Sequence, residues 1–145
     1  MTTRVVITGV DSSGRSCVTK EQPVTLVNAG SEGLGYTLLY ATASSPTIAS
    51  AAGRAADHYD LGVAPGAVSW TVVEYAPAVT FSMHHTDSVD LDTVLAGSIE
   101  LTLDDGVHQL QTGDCVVVTG IDHAWRAGSD GCRLGVMSIG VMSPR

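Results

Sequence analysis

At 145 residues the chain is long enough to bury one core and too short for two ordinary domains, so residues 1–145 are expected to form a single domain. A content of 16 Gly with only 5% aromatic residues disfavours a helix bundle and suits many short strands joined by tight turns. Lys+Arg 7 against Asp+Glu 15, a formal net charge of -8, repels a phosphate backbone, and no basic stripe restores a nucleic-acid reading.

The first ten residues lack the charged start, apolar centre and small-residue cleavage site of a secretory signal. No span approaches the roughly 20 apolar residues that cross a bilayer. Cys17, Cys115 and Cys132 are scattered and odd in number, which fits neither a disulfide framework nor a zinc module. A soluble, cytoplasmic protein without a membrane partner is the expectation.

Residues 4–8 read as a strand, and Asp11-Ser12-Ser13-Gly14 as a turn that lets residues 16–20 pair back on it. Residues 23–27 and 35–42 are further strand candidates. Ser44-Ser45-Pro46 before an Ala-rich run to Ala52 reads as an N-cap, a first-turn proline and a short helix, which Gly53 interrupts. His58, among polar neighbours, is expected to be solvated. Residues 1–68 therefore supply N-terminal strands and one short helix, and residues 69–145 the barrel core. In that core, strands are expected over residues 69–75, 79–86, 91–95, 98–103, 107–110, 115–118, 123–126 and 133–141. Gly97, Asp104-Asp105-Gly106, Thr112-Gly113, Gly120 and Gly128-Ser129-Asp130-Gly131 separate most of them. Turns at roughly every 8–12 residues indicate a sandwich or barrel.

Alternate residues of a strand share a face, so His84 projects with Ser82 and Thr86 while His85 projects to the other side. By the same rule His123 and Trp125 share a face, setting an imidazole beside an aromatic wall. Glu74, in a strand leading toward the same place, is a candidate substrate contact. His85 and His108 are expected to be exposed.

These residues resemble the two motifs of the cupin superfamily, as in its small single-domain members. His84, Thr86, Asp90 and Gly97 fall at the His, His, Glu and final Gly places of G-x5-H-x-H-x3-4-E-x6-G. Gly113, Gly120 and His123 match the second motif, G-x5-P-x-G-x2-H-x3-N, in a form one residue shorter. Thr86 stands where the second His is usual, Asp90 where Glu is usual, and Thr119 replaces the motif Pro. The resemblance implies an all-β, single-domain jelly-roll β-barrel, a small-molecule substrate held between facing sheets, and a homodimer. It also implies convergence of His84, Asp90, Thr86 and His123 as catalytic residues, with Trp125 and Glu74 as substrate contacts. Cupins with the full set hold a divalent metal, so His84, Asp90 and His123 are candidate ligands for Fe, Mn, Ni or Zn. A metal-free site using the same residues for proton transfer is the other expectation. The function so implied is a small enzyme of secondary metabolism, an isomerase, dehydratase or cyclase acting on a partly apolar organic molecule. An iron-dependent dioxygenase and a non-catalytic small-molecule-binding protein are the alternatives.

Overall fold

The computed structural model describes residues 3–28, 30, 32–48 and 51–143. In chain order the strands are β1 Arg4–Val10, β2 Ser16–Pro23, β3 Val27–Asn28, β4 Gly35–Tyr36, β5 Asp57–His58, β6 Val68–Tyr75, β7 Thr80–His85, β8 Ser88–Leu103, β9 Gly106–Gln111, β10 Cys115–Val118 and β11 His123–Gly140. The all-β jelly-roll architecture implied by turn and motif spacing is what forms. The protein is a curled half-barrel, with β3 and β4 paired apart from the main sheet.

Two long strands build the barrel. The first half of β8 pairs with β10 and with the second half of β11, whereas its second half pairs with β9 and with the first half of β11. Each long strand therefore runs through both layers. One layer is completed by β2 and β1, which joins β10 in parallel, and by β6 on the far side of β11. The other is completed by β7 and the short parallel strand β5. Residues 91–95 and 98–103, expected as two strands, are thus one strand bent at Gly97. Likewise the strands expected over residues 123–126 and 133–141 are a single strand, ending at Gly140, with a bulged corner.

Burial shows how the corner works. Along β8 the even residues Asp90, Asp92 and Val94 are buried before the bend, and the odd residues Ile99, Leu101 and Leu103 after it. Along β11 the phase changes the opposite way, from His123, Trp125 and Ala127 to Cys132, Leu134 and Ser138. One face of each strand thereby stays inward around the turn, since a one-residue change of phase exchanges the two faces. The enclosed core includes Val6, Val94, Ile99, Leu101, Leu110, Val118, Trp125 and Leu134.

The short helix expected after Ser45 does not form at residues 44–48 or 51–53, and Ala49 and Ser50 lie outside the described residues. From Gly53 onward the backbone bonds to the barrel. Gly53 O accepts Asp122 N at 2.6 Å, and Asp122 Oδ2 accepts Ala55 N at 2.7 Å and Ala56 N at 3.0 Å. The strand expected over residues 35–42 is only Gly35–Tyr36. No helix among the described residues is long and apolar enough to cross a membrane.

Gly97 has φ 73°, and a Cβ placed there would lie 2.1 Å from the Gly131 carbonyl oxygen. Both strain and backbone collision oppose any side chain at this corner. Gly97→Ala is expected to lower stability by at least roughly 2 kcal/mol, read as a reduced urea midpoint at unchanged slope. An unchanged midpoint would mean that the corner tolerates a Cβ.

Candidate functional site

The first rung of β11 on β7 pairs His123 with His84, but two residues further along β11 Trp125 pairs with Phe81, three residues back along β7. β7 therefore carries one extra residue, a bulge that brings Phe81 and His84 to the same inner face. Strict alternation would have separated them, which is why sequence reasoning missed Phe81. The rings of Phe81 and His84 are 4.3 Å apart between centroids, as are those of His84 and His123, and Trp125 meets His123 edge-on at 5.8 Å.

Both imidazoles are held the same way. His84 Nδ1 lies 2.7 Å from Ser82 O, and His123 Nδ1 lies 2.7 Å from Ile121 O. A carbonyl only accepts, so each Nδ1 carries the proton and each Nε2 carries a lone pair. Neither Nε2 has a hydrogen-bond partner in the protein among the described residues. Burial opposes a second proton on either ring: it lowers His84, and it holds His123 down to about 3, with the neighbouring His84 acting in the same direction. At neutral pH the site presents two uncharged proton acceptors.

Across the cavity runs a polar stripe at every second residue, Thr86, Ser88, Asp90 and Asp92, all buried. Ser88 Oγ donates to Asp90 Oδ1 at 2.7 Å, so the 2.8 Å contact between Thr86 and Ser88 must have the Thr86 hydroxyl as donor. Among the described residues no hydrogen bond or ion pair joins Thr86 or Asp90 to an imidazole. The rings are oriented by the Ser82 and Ile121 carbonyls. Burial pushes the Asp90 carboxyl up, partly offset by the hydroxyls of Ser88 and Ser138. Asp92 is driven well above the usual carboxylate range by burial first and by the charge of Asp90 second. Tyr75, pushed up to about 12 by burial and by Asp92, closes this end.

Residues 53–59 strap the mouth, and their anchors fall beside the motif residues. Asp122 takes the strap's amides, Arg54 bonds the Thr86 carbonyl at 3.2 Å and pairs with Asp87, and Tyr59 N donates to His85 O at 2.8 Å. Tyr59 then packs its ring edgewise on Phe81 at 5.1 Å. On the outer side of β7, His58 Nε2 is 3.2 Å from Asp87 Oδ2. His85, expected at the surface, is mostly buried, its Nδ1 3.4 Å from Asp122 Oδ1. The two atoms are not aligned for a hydrogen bond, and both lack hydrogen-bond partners among the described residues.

The cavity between the layers has a volume of about 270 Å³ and is lined by His84, His123, Thr86, Asp90, Asp92 and Trp125, with Tyr59, Tyr75, Phe81 and apolar residues of β6 and β11. It brings together every residue expected at the site except Glu74. In β6 the inward side chains are Ser69, Thr71, Val73 and Tyr75, so Glu74 points outward, where Arg133 Nε bonds it at 2.9 Å. Strand parity thus removes Glu74 as a cavity contact. The metal set is also incomplete. Asp90 is engaged by hydroxyls, and no group of three His, Cys, Asp or Glu side chains among the described residues is placed to hold an ion. The protein offers two imidazole nitrogens, one donor short of the expected His84, Asp90 and His123 site.

No protein-family model matches the chain. Over 67 residues it is 34% identical to a cupin-domain-containing oxidoreductase, srdB, of Neurospora crassa, covering 46% of this chain and 34% of that protein. In its two-layered sheet and in this segment the chain is similar to cupins. Over 63 residues the chain is 40% identical to phomopsin biosynthesis cluster proteins C' and D of Diaporthe leptostromiformis, covering 43% of this chain and 33% of each. The matched segments therefore span about a third of these relatives' own length. Among solved structures, a cupin-2 domain protein from Shewanella frigidimarina aligns with TM-score 0.43 at 20% identity, covering 54% of this chain and 71% of that one. The Cnp3 cupin domain of Schizosaccharomyces pombe aligns with TM-score 0.47 at 17% identity, covering 50% and 52%.

The imidazole burial predicts an acid-dependent stability. A histidine whose folded pKa lies below its unfolded value binds fewer protons when folded. Its contribution is fully present above the unfolded value of 6.5 and is lost as pH falls toward about 3. The denaturation midpoint of the wild-type protein should fall across that interval. His123→Asn should flatten this limb, even if its midpoint at neutral pH is lower. Parallel acid limbs in the two proteins would show that His123 is not the titrating group.

Proposed function

We propose that the protein is a small enzyme that moves a proton next to a carbonyl in a partly apolar organic substrate, as an isomerase, dehydratase or cyclase of secondary metabolism does. The observation that carries this reading is the pair of neutral imidazoles with Nδ1–H tied to carbonyls and Nε2 left for a ligand. His84, at 8% exposure against 2% for His123, is the better proton acceptor, because a ring that keeps some contact with the cavity can bear charge at less cost. In the first step His84 Nε2 takes the α-proton, the C–H pair forms a carbon–carbon double bond, and the carbonyl π pair moves onto oxygen to give an enolate. Return of the proton elsewhere isomerises the substrate, departure of a hydroxyl as water dehydrates it, and attack on a second carbonyl closes a ring. Phe81, Trp125 and the inner valines supply the apolar wall that holds the carbon skeleton. The relatives named for a phomopsin biosynthesis cluster support the secondary-metabolism setting.

A second reading is metal-assisted or oxidative chemistry on iron, manganese, nickel or zinc. It is favoured by the same tautomers, since metal-bound imidazoles also give their other N–H to a carbonyl, and by the relative named an oxidoreductase.

The test is α-deuteration of a panel of one- and two-ring ketones, 1-tetralone among them, in D2O followed by NMR, with chelator-treated protein. The wild type is expected to accelerate exchange by roughly 10²-fold or more over buffer. His84→Ala should fall close to the buffer rate while keeping a cooperative melting transition. Exchange that requires added metal, with that metal retained at near-stoichiometric level and lost in His84→Ala, would establish the second reading. Full activity in both His84→Ala and His123→Ala would place the chemistry elsewhere.

A further inference from the structure

Asp92 is the buried group that neither sequence motif accounts for. It is 4% exposed, it lines the cavity, and its Oδ1 is sealed from solvent without a hydrogen-bond partner. Among the described residues its Oδ2 makes no hydrogen bond either. Asp90, two residues earlier on the same inner face, is by contrast occupied by Ser88. Native proteins rarely leave a buried carboxyl wholly unpaired, and such a group at a cavity wall calls for a partner that arrives with the ligand.

The other walls restrict what that partner is. Among the described residues no Lys or Arg lines the cavity, two carboxyls do, and the two imidazoles carry lone pairs rather than charge. An incoming carboxylate or phosphate would lose its water, meet no cation and face acidic side chains, a cost that rises steeply in a closed apolar space. A hydroxyl or carbonyl oxygen meets no such penalty. A carboxyl accepts from a hydroxyl when ionised, and both donates and accepts when protonated. Size narrows the choice further. A cavity of about 150 Å³ accommodates benzene, so one of about 270 Å³ fits a substituted ring or two fused rings.

We propose that Asp92 is a substrate-recognition residue, and that the cavity takes an uncharged one- or two-ring compound whose hydroxyl or keto oxygen bonds Asp92, while rejecting carboxylate- and phosphate-bearing molecules. This rests on the reading that the cavity is the substrate site, and it deepens that reading by placing the polar end of the substrate at Asp92 and its carbon skeleton against Phe81 and Trp125. Asp92 acts here by binding, independently of any proton transfer at His84.

The experiment is a binding series with three probes of one shape, 2-naphthol, 2-naphthoate and 2-methylnaphthalene, followed at pH 7 by the NMR shift of the Trp125 indole. The wild type is expected to bind 2-naphthol roughly tenfold more tightly than 2-methylnaphthalene, as one added neutral hydrogen bond gives, and more tightly still than 2-naphthoate. Asp92→Val should erase the preference for 2-naphthol over 2-methylnaphthalene. Asp92→Asn, close in shape and still able to hydrogen-bond, should keep most of it, and it serves as the folded comparison if the valine variant is unstable. Binding of 2-naphthoate as tightly as 2-naphthol, or an unchanged preference in Asp92→Val, would overturn the assignment. The readout is binding and not turnover, so it is separate from the ketone-exchange assay. Failure of the wild type to exchange ketones, with its naphthol preference intact, would count against the proton-transfer reading alone.

Discussion

Strand β11 is hydrogen-bonded to β6, β7 and β8 along eighteen residues, and its opening rung sets His123 opposite His84. That rung is where the fold and the chemistry meet. The long strand must turn a corner to serve both layers, and the change of phase near Gly97 and Gly131 lets it do so while keeping one face inward. Once the corner is fixed, the inner face of the first half of β11 looks across at the inner face of the first half of β8. Imidazoles and an aromatic wall stand on one side, and Thr86, Asp90 and Asp92 on the other. The cavity is the space that two bent strands leave between their own halves.

The chemical character of the site follows from what burial does to each group. An imidazole that loses water resists a second proton, and a carboxyl that loses water resists losing its own. Both effects act within one small space here, on His123 and His84 at one end and on Asp92 and Asp90 at the other. The result is a pocket rich in polar atoms in which burial disfavours charge on imidazole and carboxyl alike. Environments that push like or unlike groups apart in this way set acid and base roles in a site. Carbonyl anchors at Ser82 and Ile121 fix which nitrogen is available, and the strap from Gly53 to Tyr59 fastens beside both histidines through Asp122, Arg54 and the His85 carbonyl.

Much of this was legible in the sequence, and the failures have physical reasons. Motif spacing located His84, Asp90, Gly97 and His123, and turn residues located most strand ends. Gly97 and the 128–131 turn were read as breaks because a glycine that bends a strand and one that ends it look alike without the partner strand. Glu74 was misplaced because β6 inverts the usual pattern. Its inward residues include Ser69 and Thr71, while Val68, Trp70 and Val72 are exposed, Trp70 by 81%. Hydrophobicity therefore points the wrong way along this edge strand. Phe81 was hidden by a bulge that only the pairing with β11 reveals. Asp92 shares its parity with Asp90 and was open to inference from Val89-Asp90-Leu91-Asp92, but no motif drew attention to it. Beyond the expected helix, the chain is fastened to the barrel by Asp122, sixty-six and sixty-seven residues away in sequence, a long-range contact that the sequence does not announce.

The claim on which the account rests is the state of the two facing imidazoles, and nitrogen NMR of protein carrying 15N-labelled histidine reads it directly. Long-range proton–nitrogen correlations assigned with His84→Gln and His123→Gln should show both rings as neutral Nδ1–H tautomers at neutral pH, with His123 keeping that state well below pH 6.5. Nε2–H tautomers, or a His123 that gains its second proton near pH 6.5, would contradict it.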